Sequence, residues 1–329
     1  MLQKIQQGRA LLMGFAILWV ISFHYQFLDC TPIGAFTQKG FLGVDIFIAL
    51  SAFGLCFSLS KESNYIKFLK KRVLRIVPTW WLIITVMLLL AVVQGKDNYP
   101  HTVFQYICYY SGLGWWFCYD QPYGIYYYEW YIPTILAFYI IIPFLYKQSN
   151  RTLILTLILS SIGSFLLSYF EISERLQLSY LRIPTLIYGV LLYRMYMTEK
   201  QGEMIKSTKQ YLYTSSVIGF FAFLMNLVNL IELPLGVLIY SFMLSLPLFF
   251  YLIVQISKLG LTRILSFVGG ITLELYLLHI YNIPLAAVAR FISNREVAIC
   301  VTVILLIPIA YLLQKAITHV MGYTKSKQS

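Results

Sequence analysis

The sequence predicts an all-α polytopic membrane protein, with about ten transmembrane helices in a single domain over residues 1–329. Three observations carry that prediction. Hydrophobic residues make up 59% of the chain and charged residues 12%, whereas a soluble domain is about half apolar and about a quarter charged. Apolar runs of roughly 20 residues, the length that crosses a hydrocarbon core, recur from end to end. The basic residues fall between those runs, so the net charge of +12 reads as membrane topology, with no nucleic-acid partner expected.

The runs lie at residues 10–28, 41–59, 78–95, 130–147, 152–170, 181–197, 211–230, 235–256, 264–290 and 296–318. The first is too long for the apolar region of a signal peptide and lacks a small-x-small cleavage site, so it reads as a retained anchor. The third is expected to begin at Pro78, just after a basic stretch. The ninth is irregular, because it carries Glu274, His279 and Pro284. With the N-terminus inside, 19 of the 25 Lys and Arg residues fall on the inner side and 6 on the outer. The positive-inside rule then gives N-in and, after ten crossings, C-in. A multi-pass protein of the inner (cytoplasmic) membrane is expected. The longest loop, residues 96–129, is external and rich in Tyr and Trp. The five cysteines show no metal spacing, and no metal is expected. Cys56 and Cys300 lie in apolar runs and read as packing. Cys108 and Cys118 share the external loop and are able to pair if it faces an oxidising space.

Ionisable residues inside membrane segments are costly and mark candidate sites. His24 lies near the outer end of the first run, and Asp45 about one turn below the outer end of the second. A short loop joins these antiparallel helices, so the two are expected at similar depth. A carboxylate on one imidazole nitrogen would fix the tautomer and leave the other as a base. The alternative is a structural His–Asp bond that only ties the helices together. In KFLKKRVLRIVP (67–78), Lys67, Lys70, Lys71, Arg72 and Arg75 form a cationic cluster. It reads either as topology and headgroup attraction or as a phosphate site, since Arg offers a bidentate fork. Glu274 and His279, five residues apart, do not share a helix face well, so each needs its own partner. Arg182, at the outer start of the sixth run, is a candidate partner for a carboxylate. The rings of residues 106–131 read as an interfacial belt or as a platform for sugar rings. Glu129 and Trp130 stand where that loop enters the fourth run.

Five stretches, in order, resemble the acyltransferase-3 family of integral-membrane acyltransferases. They are GFLGVDIFIALSAFG (40–54), FLKKRVLRIVPTWW (68–81), WYIPTILAFYIIIP (130–143), LRIPTLIYG (181–189) and ITLELYLLH (271–279). The family's first helix carries a basic residue ten positions before a histidine. His24 matches the histidine, but the basic position falls on Met13, with Arg9 one turn earlier as a candidate substitute. The family's Ser-Gly in the second helix is Ser51-Ala52 here. The resemblance implies transfer of an acyl group, commonly acetyl from acetyl-CoA, to a hydroxyl of an extracytoplasmic or lipid-linked carbohydrate. It also implies a form without the extra periplasmic hydrolase-like domain of some members.

That resemblance makes His24 the expected general base and Asp45 its orienting partner. Lys71, Arg72 and Arg75 become the expected anchors for the CoA phosphates. Arg9, Ser51, Glu129, Trp130, Arg182 and His279 are acceptor or supporting candidates. Direct transfer is the leading mechanism, and an acyl-histidine route stays open at this point. The competing class is a transporter or glycan flippase, which ten helices with a few buried ionisable residues also fit. Against it stands the lack of an inverted repeat in the sequence.

Overall fold

The structure is a computed structural model that describes residues 2–29, 31, 33–62, 64–95, 100–117, 130–280 and 283–322. Among the described residues every regular element is helical. In chain order they are α1 (Leu2–Gln7), α2 (Arg9–His24), α3 (Gly34–Gln38), α4 (Gly43–Leu59), α5 (Tyr65–Val93), α6 (Val103–Ser111), α7 (Gly114–Phe117), α8 (Tyr131–Lys147) and α9 (Asn150–Tyr169). There follow α10 (Glu174–Tyr180), α11 (Ile183–Lys200), α12 (Lys206–Leu227), α13 (Leu235–Ser257), α14 (Thr262–Gly269), α15 (Thr272–His279), α16 (Ile283–Val288) and α17 (Arg295–Val320).

Among the described residues, five helices are both long and apolar enough to cross a membrane: α4 with the 3-10 turn before it, α5, α9, α13 and α17. Helices α2 and α8 are apolar but shorter, at 16 and 17 residues. Helix α11 has the length, yet ends in Arg194, Glu199 and Lys200, and most of its surface is buried against other helices. Two expectations are corrected here. The ninth run is not one continuous helix but three short ones, α14, α15 and α16, interrupted at Gly270–Ile271 and again at Ile280. Helix α5 starts at Tyr65, not at Pro78. Lys and Arg are good helix formers, and Pro78 inside the helix removes one hydrogen bond and crowds the Leu74 carbonyl without ending the helix.

The chain divides into two compact units. The first comprises Met1–Leu69 and Trp130–Gly270. Its helices meet backbone to backbone. A Cβ on Gly14 would lie 1.9 Å from the Leu265 carbonyl oxygen, and one on Gly269 would lie 1.7 Å from that of Ala10. Gly40 rests on Trp19, Gly43 on Ala16, and Gly189 on Ala49 in the same way. This is the packing expected in lipid, where apolar surface gains little by leaving one oily phase for another and close van der Waals contact decides. Trp19 fills the space beside these contacts. It stacks on Phe36 with ring centres 4.7 Å apart and on Phe249 at 5.8 Å. Its Nε1–H donates to the Phe36 carbonyl at 2.8 Å, and the Thr37 hydroxyl donates to the Phe27 carbonyl at 2.7 Å. These bonds tie down a turn in which Gln26 (φ 53°) and Leu28 (φ 55°) adopt left-handed backbone conformations.

The second unit comprises Lys70–Glu129 and Ile271–Ser329. Here α15 and α16 pack on α17. Residues 103–111, part of the long loop between the third and fourth runs, form the short helix α6. A capping box between Thr102 and Gln105 starts it, and Gly112 (φ 80°) ends it. Helix α6 is pinned to α5: the Trp81 indole donates to the Tyr110 carbonyl at 2.7 Å, and the Tyr109 hydroxyl donates to the Ile84 carbonyl at 2.9 Å.

Candidate active site

His24 is the last residue of α2, directly before the left-handed turn at Gln26 and Leu28. Its position is therefore set by both a helix end and a tied-down loop. Asp45 lies in the first turn of α4 and is fully buried. The glycine contacts give the register between these two helices. Gly40 lies against Trp19 and Phe23, and Gly43 against Ala16 and Val20. His24 is thus level with or above Gly40, and Asp45 is more than one helical turn deeper.

The expected His24–Asp45 pairing is therefore corrected. The Asp45 carboxylate is taken by α11: Arg182 Nε lies 3.6 Å from Oδ2, and the Thr185 hydroxyl donates to Oδ1 at 3.1 Å. A buried carboxylate is far better compensated by a permanent guanidinium than by an imidazole that is neutral near pH 7. Helix α11 supplies one because Gly189 lets it lie directly on α4 at Ala49. Arg182 is itself almost fully buried, at 1% exposure. Its Nη1 donates to the Leu178 carbonyl at 2.9 Å, and the face of Trp130 lies 4.6 Å from its Cζ. The carboxylate for which Arg182 was a candidate partner is thus that of Asp45.

Arg9 opens α2 at the end opposite His24, about 22 Å away at 1.5 Å per residue. Its guanidinium lies over Gly54 of α4, where a Cβ would come within 2.5 Å of Nη1. A larger residue there would require the end of the Arg9 side chain to shift. Ser51 is half-buried on α4, six residues beyond Asp45.

In the second unit, Arg75 donates to both oxygens of Glu274, at 2.8 and 3.4 Å, and Gln314 donates to Oε2 at 3.4 Å. Glu274 is fully buried, while the Arg75 side chain is 41% exposed. The arginine expected to serve a phosphate thus already carries a carboxylate, with part of its fork still reachable. Arg72 is half-buried and Lys71 exposed on the same helix. Lys67 pairs with Glu62 at 2.9 Å. His279 ends α15, fully buried, with Nδ1 3.0 Å from the Leu275 carbonyl. The proton that this contact calls for at Nδ1 leaves Nε2 as the basic nitrogen.

Tyr109 is fully buried and Cys108 nearly so, so this part of the aromatic stretch packs inward. Glu129 and Cys118 lie outside the described residues, and with them the acceptor role of the one and the pairing of the other. Sequence reasoning missed Thr185, Gly54 and Gln314. Thr185 alone left a trace, as a hydroxyl placed between Pro184 and a long apolar run.

Comparison with known proteins supplies the chemistry. The model of a family described as an acyltransferase domain matches residues 11–315. The chain is also 26% identical, over 296 residues, to a protein of Acidianus two-tailed virus named "Putative acetyltransferase ORF330", covering 88% of this chain and 87% of that one. No solved structure matches. With a match over almost the whole of this apolar helical chain, the protein belongs to the acyltransferase-3 family of multi-pass membrane transferases.

Proposed function

We propose that the protein transfers an acyl group, acetyl in the simplest case, from cytoplasmic acyl-CoA to a hydroxyl of an extracytoplasmic or lipid-linked carbohydrate. One observation carries the reading: a family match over residues 11–315 in a chain whose intramembrane histidine, His24, closes a helix on a constrained turn. In this reading the N-terminus is cytoplasmic, and His24 stands toward the outer face of an inner (cytoplasmic) membrane.

His24 takes the proton of the acceptor hydroxyl, and the oxygen attacks the thioester carbonyl carbon. The C–S bond breaks, the new ester forms and the CoA thiolate leaves, to be protonated from His24 or water. Asp45 acts at one remove. Paired with Arg182, it holds α4 against α11, and Trp130 covers that pair where the acceptor would enter. Lys71, Arg72 and the reachable part of Arg75 meet the phosphates of the donor, and the cationic helix supports that assignment. Arg9, Ser51 and His279 are supporting residues.

The test is purified protein in nanodiscs with radiolabelled acetyl-CoA and candidate glycans. His24→Ala is expected to abolish transfer without lowering the melting temperature. Full transfer by that variant would remove the base assignment. Label crossing a liposome membrane with no acyl transfer would favour transport instead.

A further inference from the structure

Thr79 and Trp80, in the second unit, break the rule that buried polar groups are satisfied. The Thr79 hydroxyl and the Trp80 Nε1–H, one turn beyond Arg75 on α5, are both buried with no hydrogen-bond partner among the described residues. Thr79 is 0% exposed and Trp80 1%. Neither state is forced by the helix. Thr85, Thr134, Thr156, Thr198, Thr302 and Thr318 all donate back to the carbonyl four residues earlier. The neighbouring Trp81, though half exposed, finds the Tyr110 carbonyl. The more deeply buried residues are the ones left unpaired.

Their placement gives the pattern a direction. At 100° per residue, Arg75, Thr79 and Arg72 fall within a 60° arc of one helix face, and Trp80 faces the adjoining part of the buried side. Thr79 lies about 10 Å along the axis from Arg72. Two charged forks are thus followed, one to two turns further along, by two hydrogen-bond donors in an otherwise apolar stretch containing Ile76, Ile83 and Ile84. A ligand that fits has anionic phosphates at one end and a narrow arm bearing amide carbonyls. The pantetheine arm of CoA has that form.

We propose that Thr79 and Trp80 are donor-binding residues, with the Thr79 O–H and the Trp80 N–H meeting amide carbonyls of the pantetheine arm while Arg72 and Lys71 meet the phosphates. This rests on the acyl-CoA reading above and extends it to residues that no part of that reading used. No bond is made or broken in the step. The arm enters along α5, and its carbonyls satisfy two donors that are otherwise buried at a cost.

The experiment compares two probes on the full chain in nanodiscs by calorimetry. One is acetyl-CoA. The other is adenosine 3′,5′-bisphosphate, which keeps the phosphate end and lacks the arm. Thr79→Val and Trp80→Phe are each expected to weaken acetyl-CoA binding roughly fivefold, the effect of one lost hydrogen bond. Both should leave the nucleotide affinity unchanged, which also shows that the variants are folded. Thr79→Ser, which keeps the hydroxyl, is expected to bind acetyl-CoA as the wild type does. Unchanged acetyl-CoA affinity in both Thr79→Val and Trp80→Phe overturns the proposal, as does an equal loss for the two probes. Failure of the wild type to bind acetyl-CoA at all removes the donor reading itself, an outcome seen before any variant is made.

Discussion

Replacing Arg182 by Met removes the cation paired with the fully buried Asp45 carboxylate. Asp45 and Arg182 are 0% and 1% exposed, with Nε and Oδ2 3.6 Å apart. In the variant Asp45 keeps the Thr185 hydroxyl at 3.1 Å and loses its counter-charge in a region where water cannot substitute. Deleting one partner of a buried pair costs about 3–5 kcal/mol, whereas exchanging both for neutral groups of similar size is often near neutral. Arg182→Met is therefore expected to melt well below wild type and Asp45→Asn less far below. The double variant Asp45→Asn/Arg182→Met should recover most of the loss. The assay is thermal unfolding of nanodisc-embedded protein followed by tryptophan fluorescence, with all four proteins forming one double-mutant cycle. A double variant no more stable than the sum of the single losses would refute the reasoning, because it would mean that the pair carries no coupling. Transfer activity measured on the recovered double variant then separates the two roles of Asp45. A folded but inactive protein assigns the pair to positioning the site, and an active one assigns it to holding α4 on α11.

Gly269→Ala is expected to separate α14 from α2, since the new methyl would sit 1.7 Å from the Ala10 carbonyl oxygen. The loss should reach at least the upper end of ordinary overpacking, about 3 kcal/mol, read as a drop in melting temperature or a failure to fold. Glu274→Leu strands Arg75, but that side chain is 41% exposed and can turn toward water. Its melting temperature should therefore fall less than that of Arg182→Met, and the reverse order would contradict the burial argument.

Apolar run length was enough to locate the helices, because the constraint it expresses is set by the membrane and not by neighbours. Where a run was broken, the signal was local and visible: Gly269-Gly270 stands at the first break in the ninth run, and Pro284 follows the second. Helix α5 began earlier than expected because the basic stretch was treated as a boundary, although Lys and Arg favour helix. The site was legible as a set of residues and illegible as a set of pairs. His24, Asp45, Arg182 and Glu274 stood out as polar groups in or at the ends of apolar runs, Arg75 as part of a basic cluster, and Trp130 as a ring where a loop enters a helix. Which carboxylate meets which arginine depends on helix adjacency and register, and those are fixed by glycines such as Gly43 and Gly189 whose role is to be absent. Thr79 and Trp80 gave no signal, since a threonine and a tryptophan in a membrane helix are unremarkable until their hydrogen bonds are traced.

The left-handed residues Gln26 and Leu28 have a consequence for evolution and engineering. A non-glycine residue held there costs on the order of 1–3 kcal/mol, and glycine at either position would recover part of it at once. That easy gain lies open just after the histidine, yet the chain retains a glutamine and a leucine. Stabilising substitutions of this kind are commonly available in natural proteins, and their recurrent cost is lost function where activity needs a strained site. A library screened only for thermal resistance should therefore accumulate glycine at positions 26 and 28, and one screened for acyl transfer should reject it, marking this turn as a point where stability and activity compete.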